Sequence, residues 1–271
     1  MNLTTAYPQQ KAIKPVNPPA PYLGGKRLLA KRIIEKIEKI HHICYAEPFF
    51  GMGGVFFRRP FMAKSEVIND VSKDVTTFLK VLQRHYVEFV NFMRWHVTTR
   101  TEFDRLKNTD TETLTDIERA AKFFYLQKLS FGGKVAGRSY GYSPKERGRF
   151  DITRIEANLE ELHERLAGVQ IENLGYADFM QRYDRASTLF YLDPPYFNNE
   201  NDYGKNVFSK ADFEKLAKLL FSIQGKFILS LNDTPEVRQI FKAFVIEQVD
   251  TTYSAGGGSK SKKVSEVLIS F

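Results

Sequence analysis

Residues 44–54 read CYAEPFFGMGG, and residues 65–70 read SEVIND. The first stretch is a short apolar run that stops at Glu47-Pro48 and passes into Gly51, Gly53 and Gly54. Glycines there let the backbone turn tightly and approach a ligand without interference from a Cβ. The second stretch is another apolar run, and it ends in Asn69-Asp70. Strand, glycine loop, helix and a second strand closed by an acid make one nucleotide-binding βαβ unit. The glycine pattern is F-x-G-x-G, short of a complete G-x-G-x-x-G, so the pair matters more than either part. Asp70 stands where such folds place an acid to accept hydrogen bonds from ribose hydroxyls. Helix capping is its plainer use, because Val71 opens a helical run, but Ser72 can cap equally well.

Working outward, Leu29, Ile33, Ile37 and Ile40 recur at helical spacing after Gly24-Gly25-Lys26, which describes a loop feeding an amphipathic helix. Beyond Val71 the pattern turns helical over Val71–Leu82, Tyr86–Trp95 and Asp116–Ser130. A glycine- and arginine-rich stretch, Gly132–Arg149, and a helix over Thr153–Leu166 follow. Alternation then resumes with strands at Val169–Leu174, Ser187–Leu192, Lys226–Leu231, Val245–Val249 and Glu266–Phe271, and helices at Ala177–Tyr183, Lys210–Ile223 and Pro235–Phe241. Seven strands alternating with helices predict an α/β fold with a largely parallel sheet covered on both faces, its last two strands antiparallel. The expected organisation is a flexible proline-rich arm over residues 1–20, a sheet domain over 21–75 and 166–271, and an inserted, mostly helical subdomain over 76–165.

Composition bounds the function. A chain of 271 residues with a formal net charge of +8 should attract polyanions, and its positive residues gather in GGKVAGRSYGYSPKERGRF and GGGSKSKK. One cysteine, Cys44, excludes a disulfide framework and a cysteine-rich zinc site, and no H-E-x-x-H or C-x-x-C spacing points to any metal. Gly24-Gly25-Lys26 lacks the rest of a Walker A loop, and G-x-S-x-G is absent, which argues against ATP hydrolysis and serine hydrolysis. The five histidines read as surface residues. No signal peptide or run long enough to span a membrane is present, so a cytoplasmic protein is expected.

The sharpest chemistry lies in YLDPPYF, Tyr191–Phe197, at the carboxyl end of an apolar strand. Asp193 there can accept a hydrogen bond from an exocyclic amine, and the Pro194 carbonyl is followed by Pro195, which has no N–H to donate. The ring of Tyr196 can stack on a flat base. A strand closed by a Pro-Pro turn with an aromatic lid is the bland alternative.

These motifs together carry a resemblance. DPPY, with FFGMGG upstream and YLGGK near the amino end, resembles the amino-methylating DNA methyltransferases, and the order of parts is similar to the alpha-type, D12-class group of DNA adenine methylases. SLNDT at Ser230–Thr234 and the carboxyl-terminal GGGSKSKKVSEVLISF look like the family's late segments, so the likeness spans most of residues 20–271. It implies a seven-stranded, Rossmann-like sheet that binds S-adenosylmethionine. By resemblance, Tyr22, Gly24, Gly25 and Lys26 border the methyl donor, Phe50, Gly51 and Gly53 pass beneath its amino-acid part, and Asp70 holds its ribose. Val71 and the Ala177-Asp178-Phe179 triplet flank its adenine. Asp193, Pro194, Pro195 and Tyr196 hold the target amine, with Asp193 also near the donor. Tyr22 stands where this family often has tryptophan.

The implied activity is methyl transfer to the N6 of an adenine flipped from duplex DNA, with no covalent enzyme intermediate. Lone Cys44 in a strand-like run agrees, since a carbon-5 cytosine methylase needs a nucleophilic thiol. DNA recognition is assigned to the insertion, where Lys134, Arg138, Lys145, Arg147 and Arg149 interleave with Tyr140 and Tyr142, assisted by Lys260 and Lys262. This segment departs from the longer hairpin of GATC-reading members. Methylation of RNA adenine or of cytosine N4, and a non-catalytic DNA-binding protein on the same fold, are the competing readings. A monomer is expected, and any restriction endonuclease working with it would be a separate chain.

Overall fold

The computed structural model describes residues 10–145, 147–204, 207–253 and 262–271. From the amino end the elements are β1 (Lys11–Ala12), α1 (Ala30–Glu38), β2 (Cys44–Glu47), β3 (Phe61–Met62) and β4 (Ser65–Asn69). Five helices follow: α2 (Lys73–Arg84), α3 (Tyr86–Met93), α4 (Arg100–Asn108), α5 (Asp116–Leu129) and α6 (Ile152–Leu166). The chain closes with β5 (Gln170–Glu172), α7 (Tyr176–Tyr183), β6 (Thr188–Leu192), α8 (Lys210–Ser222), β7 (Lys226–Asn232), α9 (Pro235–Ile240), β8 (Val245–Tyr253) and β9 (Lys262–Ser270).

The large sheet has seven strands in the order β5-β4-β2-β6-β7-β9-β8. The first five are mutually parallel, and β9 runs antiparallel to both β7 and β8. Side chains alternate across each strand, so Leu189 and Tyr191 of β6 face one layer while Phe190 and Leu192 face the other. The first layer contains α1 and the helices α2–α6, and the second contains α7, α8 and α9. From β2 the chain builds outward to β4 and β5 on one side, then returns to lay β6 and β7 on the other. The crevice beyond the carboxyl ends of β2 and β6 is therefore the topological switch point, where open sheets of this kind bind ligands.

Three expectations need correction. The crossover between β2 and β4 holds a short 3-10 turn, Phe56–Arg58, and no α-helix. Phe50, Phe56 and Phe57 pack edge to face with centroids 5.4–5.7 Å apart. Arg59 is extended ahead of Pro60, as a residue before proline prefers. The described part of the amino-terminal arm is tied down: β1 pairs with β3, and the Val16 N–H donates to the Phe57 carbonyl at 2.7 Å. His42 is buried, not a surface residue. Its Nδ1 lies 2.6 Å from the Ile40 carbonyl, which can only accept, and burial pushes the imidazole down to about 4.

The inserted helices form their own aromatic core. Phe78 stacks on Phe124 with centroids 5.3 Å apart, and Phe89 and Phe123 pack beside them. A buried ion cluster ties this core to the sheet. Glu66 of β4 accepts from Arg59 at 2.9 Å and from Arg165 of α6 at 2.6 Å. The two guanidinium groups lie over the rings of Tyr45 and Phe56.

Candidate active site

A cavity of about 890 Å³ opens at the switch point. Its walls come from the loop before α1, the loop after β2, the ends of β4 and β6, and the turn before α7. Tyr22, Gly24, Gly25, Lys26, Phe50, Gly51, Asp70, Val71, Asp193 and Pro195 all line it, so residues spread over more than 170 positions of sequence meet here.

The glycine loop is shaped by close approach. Gly51 has φ +52°, and a Cβ there would lie 2.7 Å from the Tyr22 ring. The Gly51 N–H donates to Asp70 Oδ2 at 2.8 Å, and the Ser72 N–H donates to Asp70 Oδ1 at 2.8 Å. Asp70 thus braces the loop while its carboxylate keeps lone pairs toward the cavity. Ser72, not Asp70, caps α2. Desolvation pushes the Asp70 carboxyl up to about 6, against the pull of those two N–H groups. Asn69 locks the strand ends together: its amide donates to the carbonyls of Pro48 and Leu174 at 2.9 and 3.0 Å, and its oxygen accepts from the Leu174 N–H.

At the other end, β6 delivers Asp193 beside Lys26. The Lys26 ammonium, 2% exposed, lies 2.7 Å from Asp193 Oδ1 and donates to the Tyr196 hydroxyl at 2.6 Å. Lys26 therefore serves the DPPY segment directly, beyond the donor contact expected for it. Burial pushes the Asp193 carboxyl up to about 6, while Lys26 holds it lower than burial alone would. The Tyr196 hydroxyl donates in turn to Glu266 of β9. Asn232, at the end of β7, accepts from the Phe197 N–H at 2.9 Å and donates to the Phe197 carbonyl at 3.0 Å, clamping the chain just past Tyr196. Nearby Glu47 is wholly buried and accepts from the Tyr45 hydroxyl; desolvation pushes its carboxyl up to about 8.

Some expected contacts fall elsewhere. Phe179 is 0% exposed in the core, and Asp178 faces solvent in the first turn of α7; neither lines the cavity. Leu174, Gly175 and Tyr176 form that wall instead, with Tyr176 stacked on Phe49 at 5.4 Å. Leu174 and Gly175 lie in the turn ahead of α7 and Tyr176 opens it, so the chain lines the crevice before the helix carries Asp178 to the solvent side and Phe179 into the core. Gly53 sits behind the wall, against Phe50 and Phe57, and Pro194 is buried. Sequence reasoning missed Asn17 and Pro18 of the arm, Lys128 of α5, and Glu266. Only the position of Glu266 in an apolar terminal strand, where a carboxylate is anomalous, could have marked it.

The basic segment divides in two. Lys134, Lys145, Arg147 and Arg149 are exposed, as is Tyr142. Arg138 folds back, donating to Gln127 Oε1 at 3.1 Å over the ring of Phe123, and Tyr140 packs edge on Phe103 beneath Arg100. Gln127 also donates to the carbonyls of Pro21 and Gly133, each at 2.8 Å, which fastens this segment to the Tyr22 loop. Lys260 lies outside the described residues, and Lys262 opens β9. Among the described residues no group of three His, Cys, Asp or Glu is arranged to hold a metal, and no helix is long and apolar enough to cross a membrane.

Comparison with known proteins agrees with this geometry. Residues 22–255 match the family described as D12 class N6 adenine-specific DNA methyltransferase. The chain is similar to a Type II methyltransferase of Paramecium bursaria Chlorella virus NC1A, at 22% identity over 88% of this chain and 91% of that one. A Type II methyltransferase of Lactococcus lactis subsp. cremoris is 24% identical over 92% and 93% of the two chains. A DNA adenine methylase of Serratia marcescens is 25% identical over 83% and 88%.

Proposed function

Because the chain belongs to the D12 class of N6 adenine-specific DNA methyltransferases, we propose that it transfers a methyl group from S-adenosylmethionine to the exocyclic N6 of an adenine turned out of duplex DNA. The observation that carries the reading is that Asp193 and Asp70 open onto one cavity of about 890 Å³. That volume lies toward the upper end of the ~300–1,000 Å³ of ordinary small-molecule sites, which suits a nucleoside-sized donor and a base together.

The residues fit the donor. Gly51 leaves the close approach that a Cβ would fill, and Asp70 has acceptor capacity left for a ribose diol. Val71 and the Leu174–Tyr176 turn offer flat, largely apolar walls for an adenine. Tyr22, Gly24, Gly25 and Lys26 would border the donor from above, with Phe50 and Gly51 below and Gly53 shaping the loop from behind. Asp178 and Phe179 act through α7, by holding that wall. When bound, S-adenosylmethionine supplies an electrophilic methyl group on a sulfonium.

The chain's own task is to prepare the nitrogen. The N6 lone pair is delocalised into the ring, and hydrogen bonds from N6–H to the Asp193 carboxylate and the Pro194 carbonyl favour a more tetrahedral, nucleophilic nitrogen. Lys26 keeps Asp193 ionised at neutral pH. Pro195 stiffens the segment and the Tyr196 ring stacks on the base. Asp193 would stand on the side of the amine from which one N6 proton leaves when the methyl is transferred. Holding both reactants at attack distance supplies much of the acceleration.

Lys134, Lys145, Arg147 and Arg149 meet phosphates or base edges, Tyr142 stacks or wedges, and Arg138 and Tyr140 hold the segment in shape; Lys260 and Lys262 add positive charge. The protein acts as a monomer in the cytoplasm, and any restriction endonuclease is a separate chain. The test is to incubate the protein with labelled donor and duplex DNA, RNA or neither, and to identify the modified nucleoside. N6-methyladenine in duplex DNA is expected. Product on RNA alone, or N4-methylcytosine, would overturn the reading.

A further inference from the structure

Two features of the carboxyl-terminal strands have no part in that scheme. Asn232, in the SLNDT stretch, and Glu266, in the closing SEVLISF, are partners across the β7–β9 ladder. Asn232 grips the backbone of Phe197, and Glu266 receives the Tyr196 hydroxyl. The edge of the antiparallel pair thus holds the DPPY segment by main chain and side chain at once.

Glu266 is a costly residue to place there. It is 0% exposed in a strand whose neighbours Val267, Leu268 and Ile269 are core, and a buried carboxylate is tolerated only when paired and hydrogen-bonded. Its partners include the Tyr196 hydroxyl, the Ser230 hydroxyl at 3.4 Å and the Lys26 ammonium at 3.9 Å. An apolar residue would fill the same space without that demand. Lys26 bridges the two acids, since it also pairs with Asp193 at 2.7 Å and lies 4.4 Å from the centre of the Tyr196 ring.

We infer that Glu266 is a positioning residue of the transfer reaction: through the Tyr196 hydroxyl and Lys26 it fixes the ring that stacks the target base and divides the lysine's charge between itself and Asp193. The inference rests on the reading of Asp193–Tyr196 as the base-holding segment. It assigns to the last strand a role in catalysis without contact to either reactant.

The charges facing Asp193 are Lys26 from the loop before α1, Glu266 from β9 and Glu47 from β2, with the Tyr191 hydroxyl on β6 and the Tyr196 hydroxyl beyond it. Glu266 pushes the Asp193 carboxyl upward and Lys26 pulls it down. Neutralising Glu266 removes the upward push and leaves Lys26 to Asp193 alone, so Asp193 should ionise at lower pH.

The test compares wild type, Glu266→Gln, Glu266→Asp, Tyr196→Phe and the double variant Glu266→Gln/Tyr196→Phe in methyl transfer to duplex DNA across pH. Glu266→Gln should lower kcat about 10- to 100-fold, in the range that small misplacement of reactants costs, with the KM for donor little changed. Its acid limb should move to lower pH. Glu266→Asp keeps the charge but shortens the reach, so kcat should fall while the acid limb stays. In the Tyr196→Phe background Glu266→Gln should cost less in kcat than it does alone, because the hydroxyl route is gone and only the Lys26 route remains. A wild-type kcat in Glu266→Asp, an unmoved acid limb in a folded Glu266→Gln, or fully additive losses would overturn the inference. A wild-type protein that modifies no DNA would instead sink the reading of the whole site.

Discussion

Asp193 stands between opposing influences, burial that favours its neutral form and Lys26 that favours its charge, and they leave the carboxyl at about 6. A carboxylate that must accept a hydrogen bond works only when ionised. Activity should therefore be full above that value and fall as pH drops through it, seen as an acid limb near pH 6 in kcat/KM. Asp193→Asn keeps the shape but loses the charge and turns one acceptor into a donor. Transfer should fall by at least about 10²-fold, the usual loss for one contact of the transition state, while DNA binding measured by fluorescence anisotropy stays close to wild type. Gly51→Ala tests the donor side. Its Cβ would meet the Tyr22 ring at 2.7 Å, on a backbone at φ +52° that alanine resists. Donor affinity by calorimetry should weaken, with DNA binding spared.

At the scale of elements, most helices and strands were readable because their apolar periods are strong, as in Ile33, Ile34 and Ile37 of α1 or Ile155, Leu159 and Leu162 of α6. Helix α4 was not: only Phe103 and Leu106 are buried in a nine-residue, mostly charged segment, capped by Thr99. Nor was the 3-10 crossover, because Phe56 and Phe57 are adjacent apolar residues whose pattern suits several conformations. How the helical insertion attaches to the sheet was also illegible. Glu66 joins β4 to α6 by pairing nearby Arg59 with Arg165, which lies 99 residues further along the chain. Removing the carboxylate leaves two buried cations without their partner. Glu66→Ala should destabilise the protein by about 3–5 kcal/mol, read as a lower midpoint in urea unfolding. A midpoint equal to wild type would mean that the cluster does not tie the layers together.

Over the whole molecule the net charge is +8, and positive residues gather in GGKVAGRSYGYSPKERGRF and GGGSKSKK. The exposed Arg147 and Arg149 should neutralise phosphates, whereas Arg138, folded onto Gln127 and Phe123, should act on shape. Arg147→Ala or Arg149→Ala should lower DNA affinity about equally on all sequences and reduce the slope of log K against log salt by about one. Arg138→Ala should leave that slope nearly unchanged while lowering the melting temperature. Equal slopes for all three variants would relocate the phosphate contacts. The sequence by itself determined the seven strands of the large sheet, most of the helices and the motifs at their ends, because apolar periodicity, glycine loops and the Asp-Pro-Pro-Tyr corner are local properties of the chain. Only the tertiary structure decided that Lys26 serves Asp193, that Leu174–Tyr176 rather than Asp178 and Phe179 form a wall, and that Glu266 stands behind Tyr196. Those assignments depend on contacts between segments up to 240 residues apart, which the fold creates by bringing the loop before α1, the end of β6 and the last strand to one buried charge cluster.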